Sequence, residues 1–225
     1  MRHEIIKDGT KLKDFVSWLP DLKPTEKFYV ALFARKKYDD SLQTTSSDKT
    51  QLKRFLCTKE DLITKLKQLE IDQGSYLLKD RVATQKSLAV YITPNPRCMI
   101  KANKSMLIKL AKAVSDQNFF HNLHQEALSC VQGSKSYAHV VDFDVDDKTI
   151  DLNLMEDIMH RDCYEILETR GGYHILVNPV LAGKIAKSKN WHAVIQNTFP
   201  CDITGDQMIP IPGCTQGEFT PKFIK

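Results

Sequence analysis

Apolar residues recur at helical spacing in KLKDFVSWL (11–19), where Leu12, Phe15, Val16 and Leu19 share one side. FYVALFAR (28–35) is an apolar run of strand length. SLAVYIT (87–93) is a second, closed by Pro94 and Pro96. TKEDLITKLKQL (58–69) opens with Thr58 and Asp61 in capping-box spacing and continues as an amphipathic helix. SMLIKLAKAV (105–114) and FFHNLHQEALSCV (119–131) read as further helices, and the small, polar DDSLQTTSSDKT (39–50) as an exposed loop.

The second half alternates more tightly. YAHVVDF (137–143) reads as a strand and DLNLMEDIMH (151–160) as a helix, with Asp151 near the N-terminus where a carboxylate complements the dipole. YEILET (164–169) and YHILVN (173–178) are strands around a short Gly-Gly turn, and NWHAVIQNTF (190–199) is helical. MIPIPG (208–213) is an extended piece that its prolines confine to an edge or an end. No internal repeat is present. The texture changes near residue 133 without a linker. The expectation is one body, 1–225, built from an N-terminal α/β module (1–132) and a second module (133–225).

Length and composition narrow the class. At 225 residues, with 42% hydrophobic and 27% charged residues, the chain suits a soluble globular protein with a real core. The net charge of +4 permits nucleic-acid binding without arguing for it. No run of 18 apolar residues appears, so no membrane span is expected, and MRHEIIKDGTKLKDF lacks the apolar core of a signal peptide. Cys57, Cys98, Cys130, Cys163, Cys201 and Cys214 form no CxxC pair. They are expected to be reduced thiols of a cytoplasmic protein.

The candidate chemistry begins at VVDFDVDD (140–147). On a strand Asp142 and Asp144 point the same way, and side-by-side carboxylates repel unless a cation offsets them. Oxygen-only ligands suit Mg²⁺ or Mn²⁺, so the pair reads either as a metal platform or as a solvated acidic turn. In YEILETRGGYHILV (164–177) the glycine pair lets backbone approach a ligand, and His174 starts the second strand with a ring suited to phosphate. The alternative is a plain hairpin with a half-buried histidine. In FPCDITGDQMIPIPG (199–213) Asp202 or Asp206 precedes a turn. ITGD reads as a turn with Gly205 free to take positive φ, which favours Asp202 as the carboxylate beside Asp142. His121 and His124 share a helix face, but the flanking Phe119, Phe120 and Leu123 point to packing rather than to zinc.

In this order the three stretches resemble the catalytic motifs of the archaeo-eukaryotic primase superfamily, over about residues 87–213. Val141-Asp142-Phe143-Asp144 is similar to its first motif. Thr169-Arg170-Gly171-Gly172-Tyr173-His174, followed by Ile175-Leu176-Val177, is similar to its second. Cys201-Asp202 with Pro212-Gly213 is similar to its third. ITPNPR (92–97) is similar to a stretch that precedes the first motif in phage and plasmid members. Thr169-Arg170 departs from the usual Ser-Gly, and MIPIP lacks the arginine that often follows the third motif.

The resemblance implies an α+β fold, with an RRM-like catalytic sheet packed against a smaller N-terminal α/β module. It also implies template-directed nucleotidyl transfer, using nucleoside triphosphates, a DNA template and primer, two Mg²⁺ or Mn²⁺ ions, and possible cooperation with a replicative helicase in trans. Asp142, Asp144 and Asp202 would be the catalytic and metal-binding carboxylates, with Asp206 as the other metal candidate. His174, Arg170, Thr169 and Gly172 would face the nucleotide. A basic, partly aromatic surface suits nucleic acid, which nominates Arg35, Lys36 and Lys37 beside Tyr38, and Arg97, Lys101 and Lys104 in PRCMIKANK; ordinary solvated charge is the alternative for them and for Arg170. Two rival functions stay open: a metal-dependent nuclease or phosphotransferase, and a nucleic-acid- or nucleotide-binding module with a relic site.

Overall fold

The computed structural model describes residues 1–42, 49–78, 81–116, 122–203 and 206–224. The first helix, α1 (Gly9–Trp18), starts where Asp8 accepts hydrogen bonds from the Thr10 and Lys11 amides at 3.0 Å, and its apolar stripe buries Leu12 and Phe15. It is followed by β1 (Glu26–Arg35), β2 (Lys49–Cys57), α2 (Lys59–Lys67), the short β3 (Leu77–Leu78) and β4 (Arg81–Val82), β5 (Leu88–Ile92), β6 (Arg97–Cys98), α3 (Met99–Ser115) and α4 (Leu123–Gln132). The capping box of Thr58 and Asp61 opens α2. Then come β7 (Val141–Val145), α5 (Leu154–Ile158), β8 (Tyr164–Glu168), β9 (Tyr173–Val177), α6 (Pro179–Ile185), α7 (Trp191–Thr198), β10 (Asp202–Ile203), β11 (Ile209–Pro210) and β12 (Lys222–Ile224). The chain is thus mixed α+β with antiparallel sheets.

The first sheet runs β11-β5-β1-β2, with β6 also paired to β1. The run FYVALFA, apart from half-buried Phe33, is buried on both faces: β1 is the central strand, and one core cluster covers one face and the smaller Tyr38–Ala89–Tyr91 cluster packs on the other. One face, with Phe28, Val30, Leu32, Leu88, Val90 and Ile92, packs on α1 and α2 residues such as Phe15 and Leu62. The prolines of MIPIPG do sit on an edge, since β11 ends the sheet. Strand β2 arises within sequence too polar to read as a strand, and only its pairing with β1 makes it one. Part of the 39–50 loop and part of the 119–131 helix fall outside the described residues, as do His121 and Gly205.

The second sheet runs β10-β7-β9-β8-β12. Its first four strands, with α5 between β7 and β8 and α6–α7 between β9 and β10, make a β-α-β-β-α-β unit. In it β9 lies between β7 and β8, and β7 between β9 and β10, the split connectivity of ferredoxin-like units. Phe143, Val145, Ile166, Ile175 and Val177 line one face and pack against Met155, Trp191 and Ile195. On the opposite face Leu167 and Leu176 enter the core of the first sheet, together with Val140. The modules therefore share one core, and β11, from the second half of the sequence, completes the first sheet. The N-terminal part is no smaller appendage: each of these sheets has five strands. All six cysteines are free thiols. Among the described residues no helix is long and apolar enough to cross a membrane.

Candidate active site

Strand register builds the site. Asp144 on β7 is directly opposite His174 on β9 and, on its other side, opposite Asp202 on β10. Opposed residues share a face with Cβ atoms about 4.5–5.5 Å apart, so Asp202, Asp144 and His174 form one cross-strand row. The row continues into Leu167 and Phe223, at the apolar end of the same face. Asp142 shares this face two residues earlier. Its carboxylate is 2% exposed and meets His174 Nδ1 through both oxygens, at 2.9 and 3.0 Å. His174 Nε2 lies 3.8 Å from Asp144 Oδ1. The imidazole is held between two carboxylates, with Asp142 fixing its orientation.

The charges tune each other. Burial disfavours the His174 cation, but Asp142, with Asp144 and Asp146, outweighs it and raises the imidazole above its ordinary 6.5. Asp144, 37% exposed, is also shifted up: burial comes first, Asp142 and Asp146 add repulsion, and His174 and Lys37 only partly offset them. A raised histidine pKa contributes stability that is complete below 6.5 and lost as pH rises through the folded value. His174→Gln is therefore expected to lose most melting temperature relative to wild type in acid, with the gap narrowing toward alkaline pH. Melting curves from pH 5.5 to 9 check this, and a gap that widens with pH refutes the assignment.

The β8–β9 turn is built for a close approach, but to protein. A Cβ on Gly172 would lie 1.8 Å from the Val145 carbonyl oxygen of β7. Thr169 is buried, and its hydroxyl bonds both the amide and the carbonyl of Gly172 at 3.2 Å. Thr169 and Gly172, read from the sequence as nucleotide contacts, are thus occupied in shaping the turn. Gly172→Ala must separate β7 from the turn, and is expected to cost about 2–3 kcal/mol, in the range for overpacking. Denaturant unfolding measures it, and a loss under 0.5 kcal/mol, within the scatter of neutral surface substitutions, contradicts it.

Cations from both sheets gather on the Tyr38 ring. The Arg170 guanidinium lies 4.4 Å from the Tyr38 ring centroid, and Arg35 lies over the same ring at 5.3 Å. Arg170 Nη1 is buried and makes no hydrogen bond among the described residues. Arg35, 5% exposed, donates from Nη1 to the Tyr91 hydroxyl at 2.5 Å. It is an interior brace, not a surface contact for nucleic acid. Lys36 is half-buried, while its neighbour Lys37 is exposed and is the cation that acts on Asp144. The sequence singles out Lys37 only as one of the basic residues of ARKKY; its relation to Asp144 exists only across the two sheets.

Arg97 and Asp206 find each other. Arg97 is 1% exposed, with Nη1 at 2.7 Å and Nη2 at 3.0 Å from the Asp206 carboxylate and a further bond from Nη1 to the Gln132 carbonyl. Asn95 donates to Asp206 at 3.0 Å and to the Val140 carbonyl at 3.1 Å. Its own oxygen accepts from the His139 and Val140 amides at 2.7 and 3.0 Å. The NPR stretch therefore ties the exit of β5 to the entry of β7. Arg97 and Asp206, expected as a nucleic-acid contact and a metal candidate, instead neutralise each other, because burying either charge alone is costly. Lys101 stays exposed on α3 and donates to the Lys135 carbonyl at 3.0 Å. His124 is engaged by Arg54.

A hard divalent cation needs oxygen donors. Asp144 and Asp202 offer them from adjacent strands. The donor chemistry fits. The third carboxylate, Asp142, is turned to His174, and among the described residues no three ligating side chains converge on one point. No protein-family model matches the chain, and neither curated proteins nor solved structures give a match.

Proposed function

We propose that the chain is a nucleotidyltransferase of the archaeo-eukaryotic primase type, extending or initiating a strand on a DNA template from nucleoside triphosphates. The observation that supports it is the row Asp202–Asp144–His174 with Asp142 behind it, on one face of a β-α-β-β-α-β sheet and running from exposed Asp202 to buried His174. Such a sheet is compatible with the RRM-like arrangement that the motif resemblance implies. Mg²⁺ or Mn²⁺, which Asp144 and Asp202 would hold from adjacent strands while Asp142 stays on His174, would supply charge stabilisation at the reacting oxygens.

The chain's own groups do the rest. Asp142 holds the His174 ring and favours its cationic form, and Nε2 then offers a charged hydrogen bond to a phosphate oxygen. Lys37 adds positive charge at Asp144, and the motif resemblance assigns Arg170, stacked on Tyr38, to the triphosphate. A DNA template and primer are the macromolecular partners in this reading.

One observation favours a second reading. A histidine fixed by a buried carboxylate is also a general acid–base arrangement, which suits a metal-dependent nuclease or phosphotransferase. The deciding experiment incubates the protein with a labelled primer–template, nucleoside triphosphates and Mg²⁺ or Mn²⁺. Elongated or newly started strands are the expected product. Shortened strands support the hydrolase instead, and a bare mobility shift without chemistry leaves a binding module with a relic site.

A further inference from the structure

Behind Asp206 lies a cavity of about 270 Å³ between the second face of the first sheet and the segment leading to β11. This is slightly below the ~300–1,000 Å³ of ordinary small-molecule sites, which suits one ring system rather than an extended ligand. Phe33 and Tyr91 line it, their rings meeting edge to face at 5.7 Å, and Met208 adds a polarisable apolar wall. Gln132 and Gln207 supply amide donors and acceptors. Arg97 also lines it, and its buried Nε–H makes no hydrogen bond among the described residues. Because Asp206 neutralises that guanidinium, the cavity has no excess charge to attract a phosphate. What it offers is a dispersion surface with a few directional hydrogen-bonding groups.

We infer that this cavity is a nucleobase-binding site. A planar heterocycle can lie against Phe33, Tyr91 and Met208 while its ring nitrogens and exocyclic groups meet Gln132, Gln207 and the Arg97 Nε–H. The cavity is joined to the cationic cluster through Tyr91, whose hydroxyl accepts from Arg35 at 2.5 Å, and Arg35 in turn shares the Tyr38 ring with Arg170. A nucleotide seated here has its base in a neutral pocket and its phosphates toward Arg170, Lys37 and His174. The inference rests on the nucleotidyl-transfer reading for the direction of the phosphates, but not for occupancy of the cavity by a base.

The test is calorimetric titration of the whole chain with ATP, adenosine and inorganic triphosphate in Mg²⁺, repeated with the guanine and cytosine counterparts. ATP is expected to bind at least about tenfold more tightly than inorganic triphosphate, the equivalent of ~1.4 kcal/mol contributed by the base. Met208→Trp fills the cavity and should cut that advantage to within about twofold, without weakening inorganic triphosphate. Gln207→Ala, at an exposed position, should lose about three- to tenfold of it, the range for one hydrogen bond, and decides the matter alone if Met208→Trp does not fold. An undiminished advantage in the variants overturns the inference, as does a wild type that binds ATP and inorganic triphosphate equally. Adenosine binding that Met208→Trp abolishes, without any triphosphate affinity, sustains the cavity while removing the nucleotidyl-transfer reading.

Discussion

Asp144→Ala is expected to lower strand extension by about 10³-fold or more, a barrier increase of ~4 kcal/mol, while leaving the protein at least as stable as wild type at neutral pH. The two halves of that expectation have one cause. Asp144 sits opposite both His174 and Asp202, at the centre of the row, so in the proposed reaction its carboxylate is the one most directly placed to hold a cation. Its pKa is raised, by burial first and then by Asp142 and Asp146, so its ionised form is disfavoured in the folded chain. For an acid shifted upward, stability falls as pH rises through the window between the ordinary 3.8 and the folded value. Above that window the penalty is complete, and removing the carboxylate relieves it. Extension assays beside melting curves at pH 7 measure both. Full activity in Asp144→Ala ends the catalytic assignment. A large loss of stability shows instead that Asp144 is a structural residue.

Arg97→Ala is expected to destabilise the fold by about 3 kcal/mol, toward the lower end of the range for breaking a buried ion pair because Asp206 is 28% exposed. For a chain of this size that corresponds to a fall in melting temperature of about 6–12 °C. The loss comes from removing the 2.7 and 3.0 Å contacts to Asp206 and the bond to the Gln132 carbonyl, with a large side chain withdrawn from a packed site. Asp206→Ala should cost at least as much, since it strands a guanidinium that is 2% exposed. The two losses should not add, and the double variant is expected near the worse single one. If Arg97→Ala melts like wild type and only DNA binding falls, Arg97 is a nucleic-acid contact as its sequence context suggests. Additive losses argue that the pair is incidental.

The elements were mostly legible because each follows from a local pattern. Leu12, Phe15 and Leu19 recur at helical spacing and are buried together. Thr58 and Asp61 state where α2 begins. The alternation around Thr169–Gly172 yields the β8–β9 hairpin as read. Elements whose reason lies elsewhere were not legible. Strand β2 exists because β1 offers it a ladder, and β12 because β8 does.

For the candidate site, the sequence by itself determined which residues could share a face. The two-residue period of a strand puts Asp142 beside Asp144, and the glycine turn puts His174 at the start of a strand. It could not determine register, and register is what sets Asp202 opposite Asp144. Nor could it assign partners to charges. Arg97 and Asp206 are 109 positions apart, and Lys37 and Asp144 are separated by most of the first module, so nothing local distinguishes a brace from a binding group. Only the packing of two sheets on one core decided that Arg97 and Asp206 act within the protein, and only the β7–β9 pairing set Gly172 against Val145, while Asp144, Asp202 and Lys37 remain on the exposed side. The physical reason is that a buried charge must be neutralised by whatever the fold brings within reach, and a solvated one need not be.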